Sequence, residues 1–409
     1  MKIWHPFTQE KTEALPIKIA EGKGQYLFDD QGNRYIDMVS SWWVNILGHS
    51  NEEIADAIHH QAKVLEHVIF AGFTHAPAEE LCSRLYNLLP PSLEYFFFSD
   101  NGSTAVEVAL KMAYQYFKNV GETGRNIYIN LEGGYHGDTL GAMSAAGSSS
   151  QYHSTFSEFF FRTFSIDFPD DCESEERALE KLREFLKGNG QHVCALIIEP
   201  LIQGAAGMRV YSHQFLEQIV REVRRHGIIV IFDEVMTGFY RTGTMFAMDQ
   251  CSEKPDMICL SKAITGGFLP LALTVTNKRI YDAFFSDDPC KTFTHGHSYT
   301  ANPISCAAAC KTLEILQRPE TQLSIRQISE THIEYLPQLS HAINRRSIGT
   351  IAAFDVPTPQ LAQCIKEKMI RSGIIIRPIG SSIYLIPPYC ITRGDLEWVY
   401  MELVAFPEF

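Results

Sequence analysis

The sequence lacks several of the features that place a protein at a glance. Its 10 cysteines include no Cys-x-x-Cys pair and no Cys/His grouping with the spacing of a zinc site. Thiols dispersed in this way imply a reduced, cytoplasmic protein rather than a disulfide scaffold, and no metal centre is expected. No window approaches the roughly 18 apolar residues of a membrane span. Met1 to Pro16 is interrupted by His5, Pro6, Gln9, Glu10 and Lys11, where a secretory leader needs a continuous apolar stretch. A soluble protein with no membrane partner is expected. Positive charge never runs beyond pairs such as Arg224-Arg225 and Arg345-Arg346, and 35 Lys+Arg against 48 Asp+Glu leave a net charge of −13. A nucleic-acid partner needs a clustered basic face, so none is expected. Neither Gly-x-x-x-x-Gly-Lys-Ser/Thr nor Gly-x-Gly-x-x-Gly occurs, which removes the fingerprints of P-loop nucleotidases and of Rossmann dinucleotide folds.

What is present is a core-forming composition: 409 residues, 45% apolar and 20% charged, enough to fill two or three domains. Residues 17 to 39 alternate short apolar runs with turn signals and read as an antiparallel meander. From Asn51 onward Ile54, Ala57, Ile58, Ala62 and Leu65 recur at helical spacing. The middle of the chain alternates helical segments with buried-strand runs at Tyr95–Phe98, Asn126–Asn130, Ala195–Glu199, Gly227–Asp233 and Met257–Leu260. That alternation predicts an α/β layer with a largely parallel sheet. After a helix over 304–317 the pattern predicts an amphipathic helix over 322–344, a strand at Ile348–Phe354, a helix over 358–372 and paired strands at Ile374–Arg377 and Ser382–Leu385. The expected division is a large domain, 56–309, and a smaller α+β domain assembled from both chain ends, 1–55 and 310–409.

Four local motifs could carry chemistry. The apolar run Ile228–Phe232 ends in Asp233-Glu234, and strand ends in such a sheet face the ligand crevice. Without a phosphate loop a magnesium-holding acid pair is unsupported. The remaining readings are a carboxylate set against a cationic ring nitrogen, or a cap on the following turn. Lys262 follows the strand Met257–Leu260 and precedes Gly266-Gly267, where partial desolvation favours a neutral, nucleophilic amine; an ordinary surface lysine is the plainer alternative. Gly102 and Ser103 lie between a strand and a helix, in a position either to cradle a phosphate or simply to cap the helix. Gly133-Gly134-Tyr135-His136-Gly137-Asp138 places an aromatic pair in a glycine-rich turn, where it could stack on a flat cofactor or pack as a buried turn.

In chain order, Gly102-Ser103, Gly133–Asp138, Asp233-Glu234 and Lys262, with Thr237-Gly238-Phe239-Tyr240-Arg241-Thr242-Gly243 between the third and fourth, the motifs resemble the class III, fold type I pyridoxal phosphate aminotransferases over essentially the whole chain. The resemblance implies an α/β fold with a central, mostly parallel sheet and a smaller domain from both ends. It implies pyridoxal phosphate as cofactor and Lys262 as the Schiff-base lysine and proton carrier. Asp233 is implied as partner of the ring nitrogen, Gly102 and Ser103 as phosphate ligands, Tyr135 with His136 against the ring, and Glu199 as an acid near the cofactor. Gly296, His297 and Ser298 would border the neighbouring subunit's site, His297 and Ser298 reaching its phosphate, which makes a homodimer with shared active sites the expected unit. Arg377 would fork onto a substrate carboxylate. Phe7, Trp42, Tyr135 and Tyr384 would line the substrate groove, and Arg241 would lie nearby.

Within the family, Trp4-His5-Pro6-Phe7-Thr8-Gln9, Ser40-Ser41-Trp42-Trp43, Phe73–Ala78 and Leu385–Tyr389 resemble the biotin-pathway branch. That branch implies transfer of an amino group to 8-amino-7-oxononanoate, giving 7,8-diaminononanoate, with S-adenosylmethionine as donor. Phe7, in place of a tyrosine, and His297-Ser298 point instead to lysine as donor. Another ω-aminotransferase, acting on ornithine, 4-aminobutyrate or a diamine, is the other alternative, and it leaves the tryptophan pair unexplained.

Overall fold

The computed structural model describes residues 3–147 and 154–406. Its centre is a seven-stranded sheet with spatial order Leu93–Ser99, Ala272–Asn277, Met257–Leu260, Ile229–Asp233, Val193–Ile198, Ile127–Leu131 and Thr163–Ile166. Pairing is parallel except around Ala272–Asn277, which runs antiparallel to both neighbours. Every residue of the three central strands is buried, as a sheet covered on both faces requires.

Strand alternation assigns the two faces. Ala195, Ile197, Ile229 and Ile231 pack with the helix Gly102–Asn119 through Val106, Ala109 and Ala113. Leu196, Ile198, Val230 and Phe232 join Phe215, Leu216, Ile219 and Val223 of the helix His213–Arg224 on the opposite face.

Both ends of the chain build the smaller α+β part. The meander Ile19–Lys23, Tyr26–Asp29, Arg34–Asp37 is completed by Ile374–Ile375, which pairs in parallel with its third strand. A second sheet joins Ile343–Ile348, Ile351–Asp355 and Ser382–Leu385. Three expectations fail here. The helix expected to reach residue 344 ends at Tyr335, because Pro337 follows in a short 3-10 turn, and Ile343–Ile348 is a strand. Residues 348–354 are therefore the bend and second arm of a hairpin turning at Gly349. Ile374–Arg377 and Ser382–Leu385 do not pair as strands, because the first leaves its ladder at Ile375, ahead of Pro378, and joins the N-terminal meander instead. Two strands of the central sheet, Thr163–Ile166 and Ala272–Asn277, lie outside the expected set, as does the short hairpin of Ile202–Gln203 with Arg209–Val210. Among the described residues no helix is long and apolar enough to cross a membrane. All ten cysteines are free.

Candidate active site

The sheet delivers its polar residues to one edge. Asp233 closes the strand Ile229–Asp233, Glu199 follows Val193–Ile198, Lys262 lies two residues past Met257–Leu260, and the Gly133–Asp138 turn follows Ile127–Leu131. Leu93–Ser99 runs the same way and leads through Asp100-Asn101 into the helix that begins at Gly102. These segments meet around a cavity of about 430 Å³ whose lining includes Gly102, Ser103, Tyr135, His136, Asp233 and Lys262.

Asp233 is 4% exposed. One carboxylate oxygen accepts from Val235 N at 3.1 Å, and the other is 2.7 Å from His136 Nδ1. Its neighbour Glu234 is turned away from the cavity: it accepts from Ala247 N and Met248 N, each at 2.8 Å, and from Thr237 Oγ1 at 2.9 Å. The two acids therefore do not form a metal-holding pair, and burial pushes the Glu234 carboxyl up to about 7.

Lys262 is partly buried, in a left-handed conformation (φ 47°), with Nζ 4.8 Å from the centre of the Trp43 ring. Burial pushes its pKa down and Arg241 adds to the shift, while Asp233 and Glu199 oppose it. Glu199 accepts from Tyr135 N at 3.1 Å and Gly204 N at 3.0 Å, so it fixes two loops of the cavity wall. Burial pushes its carboxyl up to about 7, with Asp233 adding and His136 and the backbone donors opposing.

At the far end, the helix Gly102–Asn119 opens with a reciprocal cap: Thr104 N donates to Asn101 Oδ1 at 3.1 Å and Asn101 N to Thr104 Oγ1 at 3.2 Å. The N–H groups of Gly102 and Ser103 have no acceptor within the helix, and the positive end of the helix dipole adds to them. Asp138 N donates to Ser103 Oγ at 3.2 Å. That contact needs a glycine at 137, where φ is +122° and a Cβ would stand 1.9 Å from Ser103 Oγ. Tyr135 donates its hydroxyl to Asp138 Oδ2 at 2.8 Å.

A second cavity, about 760 Å³, adjoins the first at Trp43, Tyr135 and Lys262, and its lining includes Phe7, Trp42, Arg377 and Tyr384. The Arg377 guanidinium lies 4.0 Å over the Trp42 ring, and among the described residues it makes no ion pair. Phe7 meets Trp42 edge-on with ring centres 5.6 Å apart, and Tyr384 meets Trp43 at 6.0 Å. Both indoles hang from a backbone in which Ser40, Ser41, Trp42 and Trp43 all have positive φ, between 45° and 72°. Left-handed geometry costs about 1–2 kcal/mol per residue with a side chain, so this turn is held by its surroundings. Asp37 and Arg241 supply part of that hold. Gly267 (φ +88°) supplies close contact, since a Cβ there would meet Asn45 Cα at 2.9 Å and push the lysine loop off the turn.

Gly296, His297 and Ser298 line neither cavity of this chain. His67 Nε2 donates to Ser298 O at 2.5 Å, and His297 Nε2 is buried with no partner among the described residues. Arg241 is 0% exposed and donates to Pro387 O at 3.2 Å and Trp43 O at 3.4 Å, so it grips the site's backbone without touching its cavity. Sequence reasoning did not assign roles to Trp43, Asp138 or Asp37. The signal for Asp138 was its spacing of three from Tyr135; Asp37 looked like an ordinary strand residue.

Pyridoxal phosphate presents a ring nitrogen, an aldehyde and a phosphate. The cavity answers each: a buried carboxylate at Asp233, an amine of lowered pKa at Lys262, and a glycine-lined helix start with unpaired N–H donors. Fold and cavity together define a class, the fold type I pyridoxal phosphate-dependent aminotransferases.

The chain belongs to the family "aminotransferase class-III", whose model matches residues 7–406. It is 44% identical to the adenosylmethionine-8-amino-7-oxononanoate aminotransferase of Synechococcus elongatus over 98% of this chain and 97% of that protein. It is 37% identical to the enzyme of the same name from Helicobacter pylori, over 98% and 95%. The crystal structure of the Methanocaldococcus jannaschii enzyme of that name superposes with a TM-score of 0.93 at 36% identity, covering 98% of this chain and 95% of that one. An amine transaminase from an uncultivated Pseudomonas species, solved in its PLP-bound form, superposes with a TM-score of 0.91 at 30% identity over 98% and 97%.

Proposed function

We propose that this enzyme transfers an amino group from S-adenosylmethionine to the ketone of 8-amino-7-oxononanoate, giving 7,8-diaminononanoate on the route to biotin. The relatives' names support this reading, and the observation that carries it is the second cavity. That cavity runs from Lys262 along the tryptophan wall to a guanidinium that pairs with no carboxylate among the described residues, as a long-chain keto acid requires.

When bound, pyridoxal phosphate supplies an electron sink for the pair left when a C–H proton is removed. The chain's residues do the rest. Asp233 keeps the ring nitrogen protonated, and His136, hydrogen-bonded to it, holds the carboxylate in place. Gly102 and Ser103 would hold the phosphate, and Tyr135, on a loop fixed by Glu199, would lie against the ring. The Lys262 amine, of lowered pKa, would hold the cofactor's aldehyde carbon and would serve as the base that takes the proton from the substrate carbon. Arg377 receives the keto acid's carboxylate as a fork, while Phe7, Trp42 and Tyr384 exclude water from its methylene chain.

The active unit in this reading is a cytoplasmic homodimer. Gly296, His297 and Ser298, which line neither cavity of their own chain, border the partner's site, with His297 and Ser298 meeting its phosphate. Each chain divides into a large domain, 56–309, and a small one, 1–55 with 310–409, whose first two and last three residues lie outside the described residues. A second reading, lysine as donor, is favoured by one observation: Phe7 at the cavity mouth has no hydroxyl to offer the donor. A bacterial strain lacking this step should grow without biotin when it carries the wild-type chain and fail with Lys262→Ala. Failure of the wild type, expressed as holoenzyme, would overturn the reading.

A further inference from the structure

The left-handed turn Ser40–Trp43 is gripped by one carboxylate. Asp37, 1% exposed, accepts from Val39 N at 3.0 Å through Oδ1, and through Oδ2 from Ser41 N at 2.7 Å and Ser41 Oγ at 2.8 Å. His49 Nε2 lies 3.1 Å from the same Oδ2. Asn45 Nδ2 donates to His49 Nδ1 at 3.0 Å, which leaves the Nε2 proton to point at Asp37. Among the described residues, every donor to the Asp37 carboxylate therefore comes from the turn, from Val39 just before it, or from a histidine braced against the turn's own exit, and none from the remainder of the small sheet to which Asp37 belongs. The carbonyl side of the turn is held separately, by Arg241 on Trp43 O, and Ser40 Oγ donates to Ile386 O at 2.7 Å.

The turn sets two rings at once. Its third residue carries the indole under Arg377, and its fourth the indole against Lys262 and Tyr384. Relaxing Ser41 and Trp42 to the right-handed region would rotate the Trp42 side chain off the wall of the substrate cavity, since φ and ψ fix the direction of each Cα–Cβ bond.

From this geometry we infer that Asp37, oriented by His49, is a specificity-determining positioning residue. By holding Ser41 left-handed it aims Trp42 at the acyl chain and gives Arg377 its stacking partner, without touching substrate or cofactor. The inference rests on the proposed substrate class, a long-chain carboxylate in the second cavity. Asp37→Asn keeps the shape and one acceptor oxygen but sets an NH2 group against the donors that Oδ2 now receives.

The test is binding of nonanoate, which carries the acid group and apolar chain but no reactive carbonyl, to holoenzyme by indole fluorescence, together with KM and kcat for the keto acid. Asp37→Asn should weaken nonanoate and raise the keto-acid KM by about tenfold, equivalent to about 1.4 kcal/mol, with kcat and pyridoxal phosphate content little changed. In a Trp42→Ala background it should have no further effect, because its action passes through that ring. Unchanged nonanoate affinity, an additive double variant, or a fall in kcat and cofactor content with KM constant would each overturn the inference. If Asp37→Asn does not fold, Ser41→Ala, which removes one donor, should shift nonanoate affinity in the same direction by a smaller factor; no shift overturns the inference. Failure of the wild type to bind nonanoate would instead strike the substrate reading, and the inference falls with it.

Discussion

Replacing Arg377 probes the chemical identity of the acceptor. Its guanidinium lies over the Trp42 ring in the second cavity, paired by no carboxylate among the described residues. A forked pair with a substrate carboxylate makes two charge-assisted hydrogen bonds, worth about 3 kcal/mol together when desolvated. Because Arg377 is only partly buried, solvent screening brings this down to about 2 kcal/mol, roughly thirtyfold in kcat/KM. Arg377→Ala should therefore cost the keto acid roughly thirtyfold, and Arg377→Lys most of that, since an ammonium restores charge but neither the fork nor the flat face against Trp42. The decisive comparison uses the methyl ester of the keto acid. Wild type should prefer the acid over the ester by about the same thirtyfold, and the alanine variant should show almost no preference. Steady-state kinetics on both substrates with both proteins gives the four numbers. If the alanine variant keeps the wild-type preference for the acid, the carboxylate binds elsewhere and the orientation argued for the substrate is wrong.

Other parts of the site give separate expectations. Borohydride reduction of the holoenzyme followed by peptide mass spectrometry should place the pyridoxyl mass on the peptide containing Lys262, and Lys262→Ala should lose both the label and turnover. Gly137→Ala forces a Cβ to within 1.9 Å of Ser103 Oγ at a φ of +122°. Strain of about 1–3 kcal/mol at this contact should weaken pyridoxal phosphate binding by about fivefold or more by equilibrium dialysis, with the fold retained. Stability should fall as pH rises. Glu199 and Glu234 are pushed from an ordinary 4.5 up to about 7, so the folded chain binds protons there that the unfolded chain has released. Their contribution is fully present below about pH 4.5 and is lost as pH passes about 7, a few kcal/mol per carboxyl at most. Urea midpoints across that interval should show the decline, and Glu234→Gln should flatten it.

The sheet was legible because its central strands are apolar runs flanked by periodic helices, and the proposed catalytic pair because Asp233 and Lys262 each stand at the end of such a run. The hidden features depend on distant partners. Ala272–Asn277 runs against its neighbours and carries no motif, and the hairpin around Gly349 was blurred into a helix and a strand because amphipathic spacing continues past Tyr335. Ile374–Ile375 pairs with a strand some 340 residues earlier, which no local pattern encodes. Trp42 and Trp43 could be recognised as residue types, but their aim could not. It depends on a left-handed turn held by Asp37 and Arg241, and isolated propensities argue against such a turn at serine and tryptophan.

Isotope transfer tests the central claim most directly. Holoenzyme supplied with S-adenosylmethionine labelled with 15N in its amino group and with unlabelled 8-amino-7-oxononanoate should yield 7,8-diaminononanoate one mass unit heavier, with the label on the new amine at carbon 7. Labelled lysine in a parallel reaction identifies the donor if S-adenosylmethionine is inert. No diamine from either donor, with turnover of ornithine or 4-aminobutyrate instead, would contradict the account.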